Sequence, residues 1–174
     1  MRERVLIRRE STGDVDGVGA VHAAAFQAGE GVPAEVRLVE QLRSGSAWLD
    51  RLSLVAPDDT GRIIGHVVCS RADVGGGAVL ALGPLGVVPD HQGRGVGTAL
   101  MHAVIGAADA LDEPLIGLLG RVDYYRRFGF VPASAQGIEP PEPAWGAHFQ
   151  VRTLDAFRAD VRGTFRYPAP FDGL

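Results

Sequence analysis

The chain contains no lysine: all 17 of its basic residues are arginine. A Walker-type phosphate loop needs a lysine behind its last glycine to reach the outer phosphates, so that class of nucleotide site is excluded. A single cysteine, Cys69, allows no internal disulfide and no structural zinc site. No apolar run approaches the roughly 20 residues needed to cross a bilayer, and the opening MRERVLIRRE has no apolar signal core. Positive charge is also scarce. A net charge of −4 argues against general binding to nucleic acid or to acidic membrane surfaces. The expectation is a soluble, cytoplasmic protein whose 174 residues, 46% of them hydrophobic, form one domain over 1–174.

The most informative segment is 83–98, GPLGVVPDHQGRGVGT. An apolar strand ending at Val88 passes through Pro89 and Asp90 into Gln92-Gly93-Arg94-Gly95-Val96-Gly97, and apolar residues at helical spacing follow from Thr98. A glycine-rich turn at a helix start is suited to an anion. The first amides lack intrahelical partners, the helix dipole adds partial positive charge, and missing Cβ atoms let a phosphate approach the main chain. The dinucleotide fingerprint GxGxxG fits poorly, because its third glycine falls on Leu100 or Thr98. What remains is Gln-x-x-Gly-x-Gly on Gln92, Gly95 and Gly97.

About thirty residues later comes Asp123-Tyr124-Tyr125-Arg126-Arg127-Phe128-Gly129-Phe130. On its own this reads as a short amphipathic helix that tucks aromatics inward and stops at a left-handed Gly129. Together, in this order and spacing, the two segments resemble the acetyl-CoA motif and the closing tyrosine segment of the GNAT superfamily of N-acetyltransferases. The pairing is most similar to the YhbS-like branch.

The resemblance implies an α/β mixed sheet of the GNAT acyl-CoA N-acyltransferase type: about seven mostly antiparallel strands, flanked by helices, with the fourth and fifth strands splayed. It implies acetyl-CoA as donor cosubstrate and no metal. Leu85, Gly86 and Val87 match the strand that pairs with pantetheine, and Gly93, Arg94, Gly95, Val96, Gly97 and Thr98 match the pyrophosphate cradle. Gln92 is expected to hold the loop's shape. Tyr125 matches the family's general acid. In the implied reaction a neutral primary amine attacks the acetyl carbonyl directly, a strand amide near Leu85 or Gly86 steadies the oxyanion, and Tyr125 protonates the departing sulfur. Leu118 stands where many members have asparagine, which leaves Gly120 or Arg121 to replace that contact. The alternatives from other classes are a non-catalytic acyl-CoA sensor and a nucleotide-binding module.

The general base stays open among His22, Glu35, Glu40 and Asp90. The acceptor, small molecule or peptide, stays open too. Glu30, Glu35, Glu40, Glu139 and Glu142 lean toward a cationic amine, and a homodimer is an open partner. Histidines 22, 66, 91, 102 and 148 show no paired ligand spacing. Periodicity and turn residues predict strands at 5–9, 52–56, 63–70, 79–88, 114–119, 130–133 and a last one at 148–154. Helices are predicted after Asp14, after Pro33, over 98–110 and around Tyr125. Pro84 predicts a bulge within 83–86. Cys69 reads as a buried structural thiol, and the aromatics after Gly163 predict a tail that packs back.

Overall fold

The computed structural model describes residues 4–174. The first three residues of the N-terminal stretch discussed above lie outside the described residues. The elements run β1 (Arg8–Arg9), α1 (Val15–Ala25), α2 (Ala34–Ser44), β2 (Ser53–Pro57), β3 (Ile63–Val74), β4 (Gly77–Val87), α3 (Val96–Ala110), β5 (Leu115–Leu119), α4 (Val122–Tyr125), β6 (Val131–Pro132), β7 (Ile138–Glu139), β8 (Phe149–Thr153) and β9 (Gly163–Arg166). The sheet order is β1-β2-β3-β4-β5-β8-β6, with β9 pairing both β3 and β7. Pairing is antiparallel except for β4 with β5 and β7 with β9.

The long hairpin of β3 and β4 carries the centre. β3 is buried along nearly all its length, Ile63 to Ser70 without a break, because helices cover both of its faces. A Cβ at Gly65 would press on Leu100 and Val96 of α3, whereas the next side chain, His66, meets His22 of α1. Successive residues of a strand point to opposite faces, so α3 and α1 sit on opposite sides of the sheet. Val18 and Val21 of α1 and Leu100, Met101 and Val104 of α3 are fully buried there. Arg71 of β3 binds Glu113 through both guanidinium nitrogens, at 2.6 and 2.8 Å, and so anchors the turn between α3 and β5.

Several expectations need correction. The sheet has nine strands among the described residues rather than about seven. Three of the nine are two-residue pairings (β1, β6 and β7) too short to leave a periodic signal. The first strand is Arg8–Arg9, not 5–9, and the strand placed at 130–133 is Val131–Pro132, since a 3-10 turn begins at Ala133. β8 is not the last strand; β9 follows it and joins β3 at Asp73 and Val74. The third helix starts at Val96 rather than Thr98. The predicted bulge is present: Val67 pairs with Leu85 and Cys69 with Leu82, so Gly83 and Pro84, joined by a cis peptide bond, together oppose Val68.

Candidate active site

The site begins where β4 and β5 part. They pair at only two positions, Leu80 with Ile116 and Ala81 with Gly117. Beyond the second pair, the ring of Phe165 from β9 packs against Gly117 so closely that a Cβ there would sit 2.5 Å from it. The strands then diverge around a cavity of about 1020 Å³. Leu82 to Leu85 of β4 form one wall, Leu118 and Leu119 of β5 form the other, and Tyr125 lies on the cavity's lining.

The β4 main chain faces this cleft in a defined way. Val88 donates its N–H to the Ile64 carbonyl at 2.9 Å, and bonded and non-bonded pairs alternate along an antiparallel ladder. Gly86, paired with His66, is therefore turned to β3, while the main-chain groups of Leu85 and Val87 point away from β3 into the gap. Of the two amides considered for the oxyanion, only that of Leu85 faces the cleft. The Val87 carbonyl accepts a hydrogen bond from Gln92 Nε2 at 2.9 Å, so Gln92 ties the loop to the strand, as its position suggested.

The glycine-rich turn folds as anticipated. A 3-10 turn at Pro89–His91 leads to Gly93 (φ 73°) and Gly95 (φ 91°), both left-handed and both facing open space. That conformation costs other L-residues about 1–2 kcal/mol. Gly95 is the N-cap of α3, and no side chain caps this helix. The first intrahelical bond comes from Ala99 N–H to Gly95 O, which leaves the amides of Val96, Gly97 and Thr98 ahead of the ladder. Gly93, Arg94 and Gly95 are exposed. The turn's open surface and unhindered amides fit a diphosphate. The structure thus brings Leu85, Val87 and Tyr125 to one cleft and places the turn at 93–98 just past the end of β4.

Tyr125 reaches its place through glycine. Its ring covers Gly120 so tightly that a Cβ there would lie 2.4 Å from Cε2. It also packs edge-on against Tyr124 and Phe130. Burial raises its hydroxyl to about 12, with neighbouring Tyr124 adding to the effect, so at neutral pH it keeps its proton. Gly129 (φ 85°) closes the short helical segment with a left-handed turn, as the sequence predicts.

Of the four base candidates, only Glu35 lines the cavity. Glu40 and Asp90 are exposed elsewhere. His22 is fully buried behind Phe26, with its Nδ1 so close to β4 that a Cβ on Gly86 would approach within 2.7 Å. Arg121, which might have faced an anion, instead pairs with Asp123 on the surface at 3.0 Å. Cys69 is buried, and burial pushes its thiol far above the ordinary range, so no nucleophile resides there. Among the described residues no three His, Cys, Asp or Glu side chains could hold a metal, and no helix is long and apolar enough to cross a membrane.

The sequence reading missed the opposite side of the cavity. Trp145, Tyr167, Phe171 and Asp172 line it together with Phe26 and Leu38. The tail's aromatic content announced that it would pack back, but not that it would form part of the site.

Residues 24–130 match the acetyltransferase (GNAT) family. The chain is 31% identical over 172 residues to a protein of Escherichia coli K12 called uncharacterized N-acetyltransferase YhbS, covering 97% of this chain and 99% of that one. The crystal structure of E. coli YhbS in complex with CoA superposes with a TM-score of 0.87 at 31% identity, over 98% of this chain and 93% of that one. A GNAT family acetyltransferase from Brucella melitensis in complex with acetyl-CoA gives 0.79, also at 31% identity, over 98% and 99%. This chain belongs to the GNAT acetyltransferase family.

Proposed function

We propose that this protein transfers the acetyl group of acetyl-CoA directly to a primary amine. The observation that carries this reading is the parting of β4 and β5 after Ala81 and Gly117, with Tyr125 on the lining of the gap. The CoA and acetyl-CoA held by the E. coli and Brucella relatives support it. The bound cosubstrate supplies an acyl carbon already activated as a thioester. Its diphosphate is held by the amides of the turn from Gly93 to Thr98, and its arm lies along Leu85 and Val87 as an added strand would.

Each residue has a limited task. The Leu85 amide, aimed into the cleft, steadies charge on the acyl oxygen as the amine's nitrogen bonds to carbon. The C–S bond then breaks, and Tyr125 gives its hydroxyl proton to the sulfur. The nitrogen's surplus proton passes to a carboxylate or water; Glu35 is the only proposed base that lines the chamber. No covalent enzyme intermediate is involved, since the one cysteine is buried and neutral.

The test is thiol release from acetyl-CoA in the presence of a mixed set of primary amines. Release that depends on amine supports transfer. Tight acetyl-CoA binding with no release under any amine supports a sensor instead.

A further inference from the structure

The cavity is larger than a thioester arm requires, and its far half is chemically distinct. Trp145 meets Tyr167 edge-on at 6.2 Å, and Tyr167 meets Phe171 at 4.6 Å, so the tail and the loop before β8 form one continuous aromatic wall. This wall reaches the chemistry: Phe171 Cε1 lies 3.7 Å from where a Cβ of Gly83 would stand, on the strand that offers Leu85 to the cleft. Phe26 of α1 also lines the chamber.

The charge there is of one sign, apart from Arg166. Glu35, Glu142 and Asp172 line the same chamber, and among the described residues none of the three is in an ion pair. Two of the five glutamates noted in the sequence are thus in the site, joined by an aspartate that was not noted. Aromatic faces attract cations, and more so where water is excluded. A carboxylate-lined aromatic chamber therefore selects a cation with an apolar body. It disfavours a molecule with several separated charges, which would lose hydration against the wall, and one bearing a carboxylate, which would meet like charge.

We propose that the acceptor is a monoamine whose ammonium group is carried on an aryl or bulky apolar body, seated against Trp145 and Phe171 with its charge facing Glu35, Glu142 and Asp172. This rests on the acetyl-transfer reading of the same cleft. The test compares thiol release at saturating acetyl-CoA with 2-phenylethylamine, spermidine and glycine, and measures 2-phenylethanol as an inhibitor. The expected kcat/KM for 2-phenylethylamine exceeds those for spermidine and glycine by at least about tenfold. Trp145→Ala and Phe171→Ala each raise its KM about tenfold. Glu142→Gln with Asp172→Asn weakens the amine but not the alcohol, while acetyl-CoA affinity is retained.

Equal use of spermidine or glycine overturns the proposal, as does inhibition by 2-phenylethanol that matches the amine's affinity. Calorimetry on CoA-loaded protein keeps the two readings apart. If 2-phenylethylamine fails to bind while acetyl-CoA binds, the acceptor class is wrong and the family chemistry stands. If acetyl-CoA itself fails to bind, the transfer reading falls first.

Discussion

Nε2 of His22 lies 2.7 Å from Nδ1 of His66, and both rings are fully buried. Their proton positions follow from the rest of the chain. Ser53 donates its hydroxyl proton to Glu10 Oε2 and so accepts from His66 Nε2 at 2.8 Å. His66 Nδ1 is then an acceptor for the His22 Nε2 proton. The lone pair that remains, on His22 Nδ1, has no hydrogen-bond partner and faces Gly86. Arg43 closes the outer end on Glu10 at 2.5 Å. The network pins α1 and α2 to the strands that make the site.

This arrangement predicts acid sensitivity. Burial, then the charges of His66 and Arg43, hold His22 down to about 3, and burial lowers His66 as well. An unfolded histidine takes up its proton near pH 6.5. Below about pH 6.5 the unfolded chain binds protons that the folded one refuses, so stability falls. Burial alone would raise Glu10, but the His66 and Ser53 contacts and the Arg43 charge bring it to about 2, from an ordinary 4.5. Its contribution is present above about 4.5 and is lost as pH falls toward 2. Thermal midpoints should therefore decline steadily below about pH 6.5, and His22→Gln should flatten that slope while lowering stability at neutral pH.

Gly86 should tolerate no larger residue while His22 is present. A methyl group there would stand 2.7 Å from Nδ1, so Gly86→Ala should destabilise the fold by about 1–3 kcal/mol through overpacking. Combining it with His22→Ala should relieve part of that cost. A double-mutant cycle in urea measures the coupling.

Gly120 bears on catalysis through its neighbour. Gly120→Ala would displace the Tyr125 ring, which a Cβ would approach to 2.4 Å. The expected loss in kcat is about ten- to a hundredfold, with acetyl-CoA affinity nearly unchanged.

Tyr125→Phe removes only the hydroxyl. It should lower kcat by at least about tenfold and leave the dissociation constant for acetyl-CoA in place. Because burial holds this phenol up to about 12, the wild-type kcat should show no alkaline loss of a proton donor between about pH 7 and about pH 10. Stopped-flow thiol release across that range checks both points.

What could be read from the sequence was local. Gly93, Gly95 and Gly129 mark left-handed turns because only glycine adopts them readily, and each fell where its motif put it. Pro84 marked the bulge because it lacks an N–H. The helix after Pro33 showed its buried face through Leu38, Val39 and Leu42, and it stops at Gly45. What escaped depends on contacts far apart in the chain. His22 and His66 are 44 residues apart and share no spacing signal. β9 has four residues, one of them buried, and pairs with β3 some ninety residues earlier. Nothing in Gly-Thr-Phe-Arg says that Tyr167 and Phe171 will then line the cleft. The short pairings at β1 and β6 were overestimated because apolar character continues past the last paired residue.

The central claim is that the gap between β4 and β5, with the bare amides opening α3, is built for one carrier. Titration calorimetry with acetyl-CoA, CoA, ATP and NAD tests it most directly. The account predicts saturable binding of both CoA compounds, at least about a hundredfold tighter than ATP or NAD, a gap of about 2.7 kcal/mol. Equal affinity for ATP or NAD, or no binding of either CoA compound, would contradict it.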